Sequence, residues 1–162
     1  MSYLRLLKLL YVADRESLRQ ARRPVIGTRP VAMKNGPLHS KVLDLIHQRD
    51  IDEPQWSRYI HKHGYEVVLA QDPGVSELSR FEIDLLNRVA REYSQMDDWE
   101  LVEHTHTFAE WRQNYQENSS RTIPMEDILA AVNVSAEDRE DIMEDLREDT
   151  ELNRLSRSIS RA

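Results

Sequence analysis

Apolar positions along this chain repeat mostly at helical spacing and only briefly at strand spacing. From Tyr3 to about Arg22, Leu4, Leu7, Tyr11 and Leu18 lie along one side. Leu6, Leu9, Leu10 and Ala13 widen that side until the first turns are apolar nearly all round, which predicts a helix at the centre of the fold. Pro24, Gly27 and Pro30 then break the chain, leaving Val25, Ile26, Val31 and Ala32 only short extended pieces. Asn35-Gly36-Pro37 forces a corner before a helix carrying Val42, Leu43, Leu45 and Ile46. After a polar break at 50–54, two stretches rich in aromatic and β-branched residues, 56–61 and 65–69, flank Lys62-His63-Gly64. They predict a β-hairpin in which Gly64 takes the positive φ of the turn.

The second half reads as helices with marked starts. Ser79 and Glu82 form a capping-box pattern ahead of Phe81, Leu85, Val89, Tyr93 and Met96, so one helix is expected over 79–96. Asp97 with Glu100, and Thr107 with Glu110, repeat the pattern and place a break near His106. A loop is expected over 116–122. Pro124 opens a helix with Ile128, Leu129 and Val132, and Ser135 with Asp138 opens a last one carrying Ile142, Leu146, Leu152 and Leu155. The fold class expected is mainly α with a minor β part: a compact bundle of six or seven helices with one small antiparallel β-hairpin. Residues 1–134 form the domain, and 135–162 add an acidic helix and a basic tail packed on it.

Composition narrows the function classes. The 162 residues are 40% hydrophobic and 31% charged, as in a globular domain with a charged surface. There is no cysteine, which removes disulfides, thiol catalysis and sulfur metal sites. Arg5, Lys8, Asp14 and Arg15 interrupt the first apolar helix, and no small-residue cleavage site follows it. Neither a membrane span nor a signal peptide is expected, and the cytoplasm is the expected compartment. The net charge of −7 is unevenly spread. Residues 123–151 hold eleven acidic and two basic side chains, whereas residues 1–34 hold eight basic and two acidic ones. Arg154, Arg157 and Arg161 make the tail basic. This asymmetry serves either internal complementarity or a charged partner.

Candidate chemistry is sparse. His61 and His63 would share one strand face, a spacing that can hold zinc, but no third ligand is obvious unless Glu66 or His104 folds in. His104 and His106 point about 200° apart on a helix and cannot share a ligand. Asp14 falls on the buried side of the first helix and needs a partner there, an arginine or the backbone around Gly36; a pairing with Asp44 is the catalytic alternative. With glycine only at 27, 36, 64 and 74 there is no phosphate-cradling loop, and no GxSxG motif occurs. Arg5, Lys8 and Arg15 interleave with leucines instead of lining one face, so direct nucleic-acid binding is not expected.

Two blocks carry a resemblance. The stretch LRLLKLLYVADRE followed by the Gly36-Pro37 corner, and WELVEHTHTFAEW at Trp99–Trp111, resemble the Panacea domain family, which is associated with phages and toxin–antitoxin operons. Matching positions include Lys8, Tyr11, Asp14, Gly36, Pro37, Thr105, His106 and Trp111, which the resemblance marks as fold-defining. It implies an antitoxin that neutralises a cognate toxin, encoded adjacently, by direct protein–protein binding, with no catalytic residue, cofactor or metal. Competing readings are a protease adaptor, a phage-linked scaffold and, last, a metal-dependent hydrolase using His61, His63 and His106. On the acidic helix, Glu140, Glu144 and Glu148 are the expected contacts to a basic partner.

Overall fold

The computed structural model describes the backbone of residues 1–159 and the side chains of 1–148, 151 and 152. The first apolar stretch forms α1 (Tyr3–Ala21), capped by the Ser2 hydroxyl accepting from the Arg5 N–H and ended by Arg22 in the left-handed region. Leu7, Tyr11, Val12, Ala13 and Leu18 of α1 are all buried, and two apolar clusters form on its flanks.

The smaller cluster joins Leu7 to Val31, Leu38, Val42, Ile46 and Val67. Its walls include a hairpin where short extended pieces and a corner were expected: β1 (Pro30–Met33) pairs antiparallel with β2 (Gly36–His39) across a Lys34-Asn35 turn. These strands are buried on both faces, so they show no polar–apolar alternation to announce them. Pro30 occupies the first strand position, where its missing N–H does least harm. A further two-residue strand, β5 (Arg121–Thr122), pairs with the other edge of β1 where a loop was expected. Short helices α2 (Ser40–Ile46) and α3 (Glu53–Trp56) lead to a hairpin where one was expected, but shifted along the chain: 56–59 close α3 and turn, and Lys62 and His63 belong to β3 (Ile60–His63), which pairs with β4 (Glu66–Leu69). Its turn is Gly64-Tyr65, and Gly64 has φ +62°. Met1 and Ser2 run antiparallel beside β4: the Val67 N–H donates to the Met1 carbonyl, and the Tyr3 N–H to that of Tyr65.

The larger cluster packs α1 against α4 (Arg80–Glu92), α5 (Asp98–His106), α6 (Ala109–Asn114) and α7 (Met125–Ala131). Both halves of the Ser79–Glu82 and Asp97–Glu100 capping boxes are made. The expected helix over 79–96 stops at Glu92, where the chain tightens into turns (Ser94 N–H to the Arg91 carbonyl, Met96 N–H to that of Tyr93), and the Arg5 guanidinium donates to the Tyr93 and Met96 carbonyls at that end. Of its stripe, Leu85, Val89 and the cap Tyr93 are buried, while Phe81 and Met96 are only half-buried. The Thr107–Glu110 box is not formed. Phe108 is the N-cap residue of α6, the Thr107 hydroxyl donates back to the His104 carbonyl, and Glu110 turns inward. Pro124 likewise sits at the N-cap of α7, one residue before the first helical position.

The last helix, α8 (Ala136–Ile159), buries Ile142 and half-buries Met143 and Leu146, closing the larger cluster beside α7. Leu152 is exposed; the side chains of Asp149, Arg154, Leu155, Arg157 and Arg161 lie outside the described residues. Among the described residues there are therefore eight helices and two small antiparallel sheets, against an expectation of six or seven helices and one hairpin. No helix among them is long and apolar enough to cross a membrane.

Candidate functional site

The residues singled out from the two sequence blocks meet at one buried polar seam, where α1 faces the β1–β2 hairpin on one side and α5 and α6 on the other. Lys8 sits on α1 among leucines and is completely buried, with its Nζ donating to the Pro37 carbonyl at 2.7 Å. Burial lowers its pKa from 10.5 to about 7. Gly36 has φ +89°, and a Cβ there would overlap the Thr105 hydroxyl and lie 3.1 Å from Lys8 Nζ. The glycine is required twice, for its backbone conformation and for the close approach of the strand to α1 and α5. The Thr105 hydroxyl itself donates to the Val102 carbonyl.

Nearly two α1 turns beyond Lys8, Asp14 organises the loop that follows the helix. Its Oδ1 accepts from the Val25 and Ile26 N–H groups at 2.7 and 2.6 Å, and its Oδ2 from Gly27 at 3.1 Å. His39, at the end of β2, places Nε2 3.2 Å from the same carboxylate and Nδ1 3.1 Å from the Thr28 carbonyl. The expected partner of Asp14, an arginine or the backbone around Gly36, is thus replaced by the 25–27 backbone and His39. Asp44 is engaged with Arg49 at 3.5 Å.

At the opposite side, the Trp111 indole N–H donates to the Met33 carbonyl at the hairpin turn. Its ring is stacked between His106 (4.1 Å between centroids, 13° between planes) and Tyr115 (4.8 Å, 17°). His106 Nδ1 lies 3.6 Å from the Glu103 carboxylate one turn back on α5, and its stack on Trp111 packs the end of α5 against α6. Glu110, which the sequence pattern assigned to a cap, is fully buried. Its Oε1 accepts from the Tyr11 hydroxyl at 3.2 Å and from Arg15 Nε at 2.9 Å. The Arg15 guanidinium also lies over the Phe108 ring, 4.2 Å from its centre. Burial, reinforced by the Glu110 charge, raises the Tyr11 phenol well above its ordinary value. Tyr11 and Arg15 are one helical turn apart on α1, and that spacing was the available clue that they share a carboxylate.

The remaining candidates lie outside the seam. His61 and His63 are exposed on one face of β3, ring centres 6.4 Å apart, with Glu66 opposite His63 in register. Among the described residues no three His, Asp or Glu side chains are grouped to hold a metal ion. His104 faces the other way, its Nε2 3.1 Å from the Tyr93 hydroxyl, and burial, then the Arg15 charge, lowers its pKa. Glu140, Glu144 and Glu148 are exposed on α8, away from the seam. The seam's chemistry is that of a scaffold: Lys8, Asp14, Thr105 and Trp111 are matched to backbone carbonyls or N–H groups and Glu110 Oε1 to Tyr11 and Arg15, while Glu110 Oε2 and His106 Nε2 are buried without a hydrogen-bond partner.

Residues 6–112 match the family described as "Antitoxin SocA-like, Panacea domain". No curated protein and no solved structure matches the chain.

Proposed function

From the chain's membership of the antitoxin SocA-like, Panacea domain family, we propose that it neutralises a cognate toxin, encoded beside it, by binding that protein directly. The family match over residues 6–112 is the observation that carries this reading. The motif positions read from the sequence, Lys8, Tyr11, Asp14, Gly36, Pro37, Thr105 and Trp111, are buried, with His106 half-buried on Trp111. Their burial supports a scaffold role and leaves recognition to the charged surface.

The test is expression of the adjacent reading frame from an inducible promoter, with and without this chain. Growth arrest by that product alone, relief on co-expression and recovery of a stable complex support the proposal. Relief accompanied by disappearance of the toxin would point to delivery to a protease. No arrest, or arrest without relief, rejects an antitoxin role for this pair.

A further inference from the structure

Along α8 the surface forms one trough with two ends. The mainly apolar end, about 430 Å³, lies between the 24–27 loop, α7 and α8, on Pro24, Met125, Met143 and Leu146. The polar end, about 730 Å³, continues between α7 and α8 past Glu126, Glu140 and Glu144. Met143 and Arg147 line both ends. From Glu140 to Glu151 the α8 side of the trough spans roughly 16 Å, the length of about three helical turns.

Its chemistry selects an occupant. Glu126, Glu140, Glu144 and Glu151 stand along it against Arg139 and Arg147, and Asp127 is already held by the Asn114 amide. A polyanion such as nucleic acid meets net repulsion there, whereas lysine and arginine side chains meet carboxylates. The floor offers two methionines, whose unbranched side chains adapt to differently shaped apolar groups. A groove with an apolar floor and a charged rim suits a helix with one apolar and one basic face. Most residues lining the apolar end lie beyond residue 112, where the family match stops.

On the reading that the chain binds a protein toxin, we infer that this trough docks a cationic amphipathic helix of that partner. The partner's apolar face rests on Met125 and Met143, and its basic side chains reach Glu126, Glu140 and Glu144. The probe is a synthetic leucine–lysine amphipathic helix added to the full chain carrying 13C-labelled methionine methyls. The Met125 and Met143 resonances should shift while those of Met33 and Met96 stay. Affinity should fall about tenfold or more in Met143→Lys, and again in Glu140→Lys/Glu144→Lys, and should weaken with salt. Met125→Lys, on a different helix, gives the same reading if Met143→Lys melts early. A peptide with glutamate in place of lysine should not bind.

Absence of binding, shifts confined to other methionines, or equal affinity in folded variants overturns the inference. The product of the adjacent reading frame separates this from the antitoxin reading. If Met125→Lys relieves its toxicity with undiminished affinity, the trough is not the toxin's site and the antitoxin reading stands. If the unaltered chain relieves nothing, the antitoxin reading is the one that fails.

Discussion

Gly36 and Lys8 show how single residues set the seam. At φ +89° any side chain is strained, and a methyl group would also overlap the Thr105 hydroxyl. Gly36→Ala should therefore destabilise the protein by more than about 1 kcal/mol, and adding Thr105→Ala should return part of that loss. Urea denaturation of the single and double variants checks this, and strictly additive effects would mean that the overlap is not the cause. Lys8 makes a prediction in pH. In the unfolded chain its amine titrates near 10.5, and in the folded protein near 7. Between these values the unfolded chain holds the proton and the folded one does not, so stability rises with pH from about 7 toward 10. The full difference corresponds to roughly 5 kcal/mol. Below about 7 both states hold the proton and the dependence stops. Above 10 the Tyr11 phenol, held protonated by burial, acts in the opposite direction. Denaturation between pH 7 and 9.5 should show the rise, and Lys8→Met should flatten it; an equal slope in that variant would assign the effect to another group.

Elements were legible where one spacing persisted. The stripe on α4 and its capping box are both present, so Leu85→Ala should cost about 2–5 kcal/mol, as for other large-to-small changes in a core. Phe81 is half-buried at the start of the helix, so Phe81→Ala should cost clearly less. Thermal melts of the two variants check the order, and equal losses would mean that α4 begins deeper in the core than its burial indicates. The helix end was not legible, because the carbonyls left there, those of Tyr93 and Met96, are met by Arg5, about 90 positions away in the sequence. The β1–β2 hairpin was hidden for a related reason. Four-residue strands buried on both faces have no alternation, and Asn35-Gly36 gave the corner without its partner. Thr107 and Glu110 fitted a local capping rule that lost to a tertiary demand, the Tyr11 and Arg15 donors waiting inside.

Over the whole molecule, the charge asymmetry of the sequence resolves into two unlike parts. Much of the basic N-terminal segment is spent inside the fold: Arg5 on carbonyls, Lys8 on Pro37 and Arg15 on Glu110. Among the described residues, the ion pair between this segment and the acidic helix is that of Arg22 with Asp138, at 3.9 Å. The needs of two motif positions could be read from their types: a glycine at a corner, which takes φ +89°, and a tryptophan after a helix joint, whose N–H finds the Met33 carbonyl. The trough was not, since it is made by three segments meeting and no single one announces it. What remains on α8 is a run of carboxylates facing water, with Glu140, Glu144 and Glu148 one turn apart and like-charged. As lysines the three would still repel one another, but each would gain an acidic neighbour three residues earlier, Glu137, Asp141 and Asp145, so reversing all three should leave the melting temperature unchanged or slightly higher. Each reversal shifts the net charge by two, taking −7 to −1. If a basic partner is steered to this face, the association rate with the adjacent reading frame's product should fall and its dependence on salt should flatten, while dissociation changes less. Stopped-flow association at two ionic strengths measures both. An unchanged rate and an unchanged salt slope would remove α8 from the path of approach, and the partner would then have to be met on a face whose charge is not yet accounted for.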